Sequence, residues 1–426
     1  MNPDGSSASM LPQTEPPVMP KLTTRCCIAG GGPAGMMAGL LLARAGVDII
    51  VLEKHGDFLR DFRGDTVHPS TLELMQELGV LEDFLTRPHQ QLREIGGDID
   101  GNRVMVADFT HLPTACKFVA LMPQWDFLDF LADEARRYPT FRLLMNAEVT
   151  DVLRTDDRVT GVRVQTPDGE TDIEAALTIG ADGRRSVVRE RAGLTVETFG
   201  APIDVLWMRI SRRETDRAET LGVIRSGRIF VMLNRGDYWQ CAFVIPKGGY
   251  TTLRDRGLDE FRNDISAIVP FLSDRVGELR AWDDIKLLTV MVDRLKQWYA
   301  PGLLCIGDAA HAMSPIGGVG INLAVQDAVA AANLLYRPLL HGAVTLDDLA
   351  AVQKRRLFPT RMTQKAQVAI QKNVMAPVLS LDRTASISLP FPVRLLQRYP
   401  VLRRIPARLV GIGVRPEHVH TPNAFT

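Results

Sequence analysis

The sequence predicts an α/β fold: a three-layer domain around a parallel sheet, an antiparallel β-sheet inserted into it, and a helical C-terminal segment. Three observations carry that prediction. An apolar strand near residue 24 runs into a Gly-rich turn and a helix. Apolar residues alternate with polar ones, at the period of a strand, through much of residues 146–245. A second strand–loop–helix pattern returns at 301–337.

Taken in order, residues 1–22 read as a disordered tail. They are rich in Ser, Pro and Gly and have neither the basic nor the apolar stretch of a secretory signal. TRCCIAG is a short buried strand, GGPAGMMAGLLLARAG a helix closed by Gly46, and VDIIVLEK a parallel strand with a continuous apolar run. PSTLELMQELG is a helix with Pro at its start and Gly at its stop. Trp125–Tyr138 is an amphipathic helix. Residues 146–180, with turns at DDR and PDG, form a meander. DVLWMRI, RIFVMLN and YWQCAFVIP continue as a separate antiparallel sheet. GLLCIGDAAH is a strand entering a loop, and GINLAVQDAVAAANLLY is an Ala-rich helix. The tail from 345 is helical and then punctuated by Pro and Arg.

Composition narrows the function. The 426 residues carry 50 basic and 50 acidic side chains, and aromatics make up 6%. Balanced charge gives no steering toward nucleic acid, and few aromatics argue against a single-strand stacking platform. The five cysteines are scattered, with no metal-ligand spacing, and read as reduced thiols of a cytoplasmic protein. Adjacent Cys26 and Cys27 should point to opposite faces of their strand. No apolar run reaches membrane-spanning length; the nearest, Ala38–Ala43, is cut by Arg44.

The chemistry-bearing motifs begin with Gly30-x-Gly32-x-x-Gly35, between strand and helix. Gly30 permits the tight turn, Gly32 lets the backbone approach a pyrophosphate, and Gly35 lets the helix pack on the strand. The helix N-terminus offers free N–H groups and partial positive charge to phosphates. Glu53, ending the next strand, is placed to accept ribose hydroxyls. This is a Rossmann-type dinucleotide site; alone it does not separate FAD from NAD. Gly307-Asp308-Ala309-Ala310-His311 follows a second strand, with Pro315, Gly317, Gly318, Gly320 and Asn322 before a helix. Asp308 can accept from a ribitol hydroxyl, and the glycine run admits a flat ring edge. The helix dipole would stabilise negative charge there. Asp182-Gly183-Arg184 ends another strand and reads as a contact to pyrophosphate or to a visiting nicotinamide cofactor, or as a plain Asx turn.

The three segments GGGPAG, GADGRRSVVR and GDAAHAMSPIGGVGINLA, in this order, closely resemble the class A single-component FAD-dependent aromatic monooxygenases of para-hydroxybenzoate hydroxylase type. The resemblance implies a glutathione-reductase-like FAD-binding domain from 23–98, 119–200 and 296–340. It implies a substrate-binding part from 99–118 and 201–295, followed by a C-terminal helical segment, 341–426. It also places Arg63 on the pyrophosphate and Gln124 on the flavin, with Pro33, Ala34, Lys54 and Ile321 adjoining the cofactor contacts. The implied reaction is NAD(P)H reduction of FAD, formation of a flavin C4a-hydroperoxide with O2, and hydroxylation or epoxidation of an aromatic or polycyclic small molecule.

Pro315 matches the family's proline facing flavin and substrate. His68 and Asp65, on the loop after Arg63, are candidate proton acceptors for a phenol. Phe230, Met232, Asn234, Trp239 and Cys241, at alternating strand positions, are candidate substrate contacts. Their other reading is ordinary sheet core. NADH or NADPH would bind transiently across a surface groove, with Arg44, Arg184 and Arg189 as candidate contacts. A halogenase is the nearest rival, but YWQCAFVIP lacks that family's second Trp. The remaining rivals are a non-oxygenating dehydrogenase and a non-catalytic FAD protein. The Arg-rich tail reads as a cap with snorkelling arginines, or as a peripheral contact with an anionic membrane. A monomer and a homodimer both fit.

Overall fold

A computed structural model describes residues 21–59, 66–216 and 221–426 of the chain. Arg63, Asp65 and nearly all of the predicted N-terminal tail lie outside the described residues; the first strand opens at Leu22.

Five parallel strands form the centre of an eight-stranded sheet. Their order across it is Leu303–Cys305, Gly169–Gly180, Leu22–Ala29, Ile49–Leu52 and Phe141–Leu144. Neighbours in the sheet are far apart in sequence, so the nucleotide half is assembled from separated stretches. One face of the sheet is covered by the helices Pro33–Arg44, Gln124–Ala135 and Gly320–His341. The other face is covered by the meander Glu148–Thr155, Arg158–Thr166 and Gly169–Gly180, whose last strand then continues into the parallel sheet. Cys26 belongs to the first face and Cys27 to the second, as strand geometry requires. Burial pushes the Cys27 thiol up to about 12.

The helix Gly320–His341 is long and apolar enough to cross a membrane, which the sequence reading overlooked. Most of its apolar window is buried against the sheet and neighbouring helices. It is a core helix, apolar nearly all round because it is covered nearly all round.

The second sheet has seven strands rather than the three read from sequence. The hairpin Glu94–Ile99/Asn102–Asp108 joins it through Leu221–Arg225, and that one junction is parallel. The chain therefore enters this layer at Glu94, ahead of the boundary expected at 99. One face of the layer packs on the helix Leu258–Ile268. The other meets Ile316 and residues 375–387.

Candidate active site

Three turns gather at the ends of the parallel strands. Gly30 adopts φ +108°, and a Cβ there would stand 2.4 Å from the Ala181 carbonyl oxygen. A Cβ on Gly35 would fall 1.9 Å from the Gly30 oxygen, so only glycine lets this helix begin so close to the strand. Gly32 caps the helix without a side-chain bond, and nothing lies within 4 Å of where its Cβ would be. That leaves an open cradle over unpaired N–H groups. Glu53 accepts from the Gly31 N–H at 3.2 Å and the His55 N–H at 3.1 Å. Lys54 beside it is exposed.

The other two turns meet the first. A Cβ on Gly307, at φ +59°, would stand 3.0 Å from the Ala34 methyl. The Arg184 guanidinium donates to Asp308 at 3.0 Å. Asp182 accepts from the Val188 N–H at 3.2 Å through one oxygen, while its other oxygen is buried without a partner. Burial, the largest influence, pushes the Asp182 carboxyl up. Gly183 (φ +86°) and Gly320 each face open space.

The loop 315–322 is bolted to residues 66–71. Thr66 donates to the Gly318 carbonyl at 2.8 Å, and Ser70 and Thr71 both donate to Asn322 Oδ1. Gly317 and Gly318 have φ +77° and +63°, and a Cβ on Gly318 would meet Thr66 Oγ1 at 2.3 Å. Pro315 is half-buried, and Ile321 is buried in the first turn of the following helix. Gln124 opens its own helix, half-exposed.

His68 is corrected by the structure. It is buried, with Nδ1 2.9 Å from the Val410 carbonyl oxygen and Nε2 3.1 Å from the Gly318 carbonyl oxygen. A neutral imidazole donates to one of these. Burial lowers its pKa to about 4 against the pull of the two carbonyls. With both nitrogens facing backbone carbonyls, it latches the C-terminal helix to the glycine loop and offers no nitrogen to a substrate.

The strand candidates are also corrected. Phe230, Met232, Trp239 and Cys241 are buried on the face packed against the helix Leu258–Ile268. Trp239 donates its indole N–H to Asp216, and Asn234 Oδ1 accepts from the Gly236 N–H in a turn. The four buried side chains are sheet core, the other reading that the sequence allowed. The face toward Ile316 carries Val205, Trp207, Val231, Ala242 and Val244. On that face Trp207 Nε1 is buried without a hydrogen-bond partner among the described residues.

Two of the arginines read as nicotinamide contacts are occupied elsewhere. Arg44 donates to the Thr421 carbonyl at 2.7 Å, and Arg189 donates to the Ala309 and Arg184 carbonyls.

Sequence reasoning missed Asp327. This carboxylate is fully buried and accepts from His311 at 2.5 Å, Arg356 at 2.9 Å and the Gly307 N–H at 3.2 Å. Burial alone would raise it, but His311 and Arg356 hold it below the usual range. It pins the turn that presents Asp308. The one available signal was an acid inside an Ala-rich run.

Strand ends that gather a Gly-rich turn, an Asp-Gly turn and a glycine loop before a helix define an FAD-binding flavoprotein. The FAD binding domain family matches residues 23–366, and the chain belongs to it, among the class A FAD-dependent aromatic monooxygenases. It is 32% identical over 392 residues to the 6-methylpretetramide 4-monooxygenase of Streptomyces rimosus, spanning 91% of this chain and 92% of that one. It is 25% identical to the para-nitrophenol 4-monooxygenase of a Pseudomonas species, over 78% of this chain and 82% of that one. The crystal structure of PqsL from Pseudomonas aeruginosa, a probable FAD-dependent monooxygenase, superposes with a TM-score of 0.70 at 22% identity. That match covers 84% of this chain and 97% of the other. The protein is an NAD(P)H-dependent flavoprotein monooxygenase of aromatic or polycyclic small molecules.

Proposed function

We propose that the converging turns hold FAD along its length and that the substrate is a fused-ring phenolic compound. The carrying observation is the meeting of the three turns, through Ala34 with Gly307 and Arg184 with Asp308. The N–H groups above Gly32 take the diphosphate, with Glu53 on the adenosine ribose and Asp308 on a ribitol hydroxyl. Gly183 lets the Asp182 turn approach the cofactor backbone. The helix beginning at Gly320 faces the pyrimidine edge, where its N–H groups favour negative charge. Arg63 and Gln124 are further contacts on this reading. FAD held by these residues would supply the redox chemistry, taking electrons from NAD(P)H and activating O2.

The apolar wall of Val205, Val231 and Val244 shields that chemistry from water. Trp207 Nε1, lacking a protein partner, donates to a substrate oxygen. Fused-ring specificity is favoured by likeness to the pretetramide hydroxylase along nearly the full length of both chains. The test is direct: purify the protein, record its visible spectrum, and follow NAD(P)H oxidation over simple phenols and tetracyclic phenols. Incorporation of labelled O2 into a tetracyclic phenol is expected. Turnover of simple phenols alone would sink the fused-ring reading, and a colourless folded protein would sink the FAD contacts.

A second reading concerns location. The helices Phe391–Arg398 and Arg404–Gly411, with the short turn Pro400–Arg403 between them, expose Phe391, Val401, Ile405 and Leu409. Arg394, Arg398, Arg403, Arg404 and Arg408 lie among them, and no acid occurs between Asp382 and Glu417. Apolar tips among arginines, on a stretch of sequence without acids, fit an anionic bilayer surface. Sedimentation with phosphatidylglycerol vesicles should show salt-sensitive binding that Ile405→Asp abolishes. Equal recovery with and without vesicles excludes it.

A further inference from the structure

A surface groove of about 500 Å3 lies beside the helix Leu346–Ile370, against Phe199 and Arg294. Arg361, Gln364, Lys365 and Lys372 complete its polar lining, and no carboxylate lines it. Arg294 is buried, donates to Gln364 at 2.8 Å, and pairs with Glu197 at 3.2 Å from outside the lining. Its guanidinium sits 4.7 Å from the centre of the Phe199 ring, itself partly exposed. Arg361, Lys365 and Lys372 make no ion pair or hydrogen bond among the described residues. Arg361 and Lys365 are four apart on one helix, a like-charge spacing that costs stability unless an anion joins them. Lys372 lies in a wide π-helical stretch, Gln371–Met375, a distortion frequent at functional sites.

The same helix supports the glycine loop. Gln367 donates to the Ser314 and Ile316 carbonyls, each at 2.9 Å, and Gln371 donates to Ser314 Oγ at 2.6 Å. Ser314 and Ile316 flank Pro315. The groove is therefore one helix away from the loop proposed to meet the flavin. This flavoprotein must also receive a second dinucleotide, and the turn at 30–35 is committed to the first. A nicotinamide dinucleotide presents an adenine ring, a diphosphate and, in NADPH, a 2′-phosphate. A ring with several phosphates complements one exposed Phe and three unpaired cations.

We propose that this groove docks the phosphorylated adenosine end of NADPH and thereby selects NADPH over NADH. The proposal rests on the enzyme's need for a nicotinamide reductant, not on the identity of its aromatic substrate. The test uses the FAD-loaded protein and calorimetric titration with 2′,5′-ADP, 5′-AMP and inorganic phosphate. Tighter binding of 2′,5′-ADP than of 5′-AMP is expected, with a loss of roughly 10-fold or more in Arg361→Glu and in Lys365→Glu. Anaerobic flavin reduction in the same variants should need about 10-fold more NADPH for half-maximal rate, at an unchanged limiting rate. An unchanged FAD content and melting temperature confirm that the variants fold.

Equal NADH and NADPH use by the unaltered enzyme would overturn the proposal. So would an unchanged NADPH requirement in folded, yellow variants. Binding of inorganic phosphate as tight as that of 2′,5′-ADP would mark the groove as a general anion site and also overturn it. The nucleotide titration needs no aromatic substrate, so its failure is separate from any error in the substrate class.

Discussion

Gly35 shows how little room the site leaves at the scale of single residues. Its missing Cβ would overlap the Gly30 carbonyl at 1.9 Å, and that atom is backbone that cannot swing aside. Gly35→Ala should therefore displace the helix from the strand end and yield apoprotein. The absorbance ratio of flavin to protein measures this directly, and a variant that purifies fully yellow would contradict it. His68 gives a pH prediction. Its folded pKa, about 4, lies below the ordinary value of 6.5, so the folded form binds fewer protons than the unfolded chain. By linkage its contribution is fully present above pH 6.5 and is lost as the pH falls toward 4. Urea midpoints between pH 7 and pH 4 should fall more steeply in the parent than in His68→Gln. Parallel curves would show that the latch does not titrate.

At the scale of elements, the seven-stranded layer separates pattern from phase. A strand buried on both faces hides which alternate set meets which neighbour. Phe230 and Trp207 lie on adjoining parts of one sheet but on opposite faces. Phe230→Ala should cost roughly 3–5 kcal/mol of stability, as for other large aromatic core truncations. It should leave the KM for the aromatic substrate nearly unchanged in the surviving folded fraction. Trp207→Phe should cost little stability and raise KM, because it removes a donor that has no protein partner. Denaturant midpoints beside steady-state kinetics distinguish the two, and the reverse pattern would restore the original phase. The core helix Gly320–His341 teaches a related point. Its composition resembles that of a membrane span, and its burial, not its hydropathy, identifies its solvent.

At the scale of the whole molecule, the C-terminal segment closes the nucleotide half. Arg356 joins Asp327 to Glu417 at 2.9 and 3.1 Å, Arg44 holds Thr421, and the Ala424 N–H donates to the Arg44 carbonyl. Because Asp327 also accepts from the Gly307 N–H, the Arg356–Glu417 contact ties the C-terminal segment to the turn that presents Asp308. Asp327→Ala would leave the buried Arg356 without its nearest partner, a change that typically costs roughly 3–5 kcal/mol. A melting temperature lowered by several degrees, with weaker FAD retention, is the expected result. Calorimetry of the FAD-loaded variant checks it, and an unaltered transition would show the network to be dispensable.

The sequence by itself determined the parts of this protein governed by local geometry. Glycines at 30, 32 and 35 between a strand and a helix, and the Gly-Asp turn at 307–308, state their backbone requirements in the residues themselves. The meander was legible for the same reason, since its turns and its alternation are both short-range. Only the tertiary structure decided which face of the seven-stranded layer looks toward the glycine loop. It alone showed that His68 is a buried latch, that Asp327, Arg356 and Glu417 form one network, and that four cations line a shared groove. Each of these depends on which distant segments pack together and how deeply they exclude water, and no window of sequence contains that.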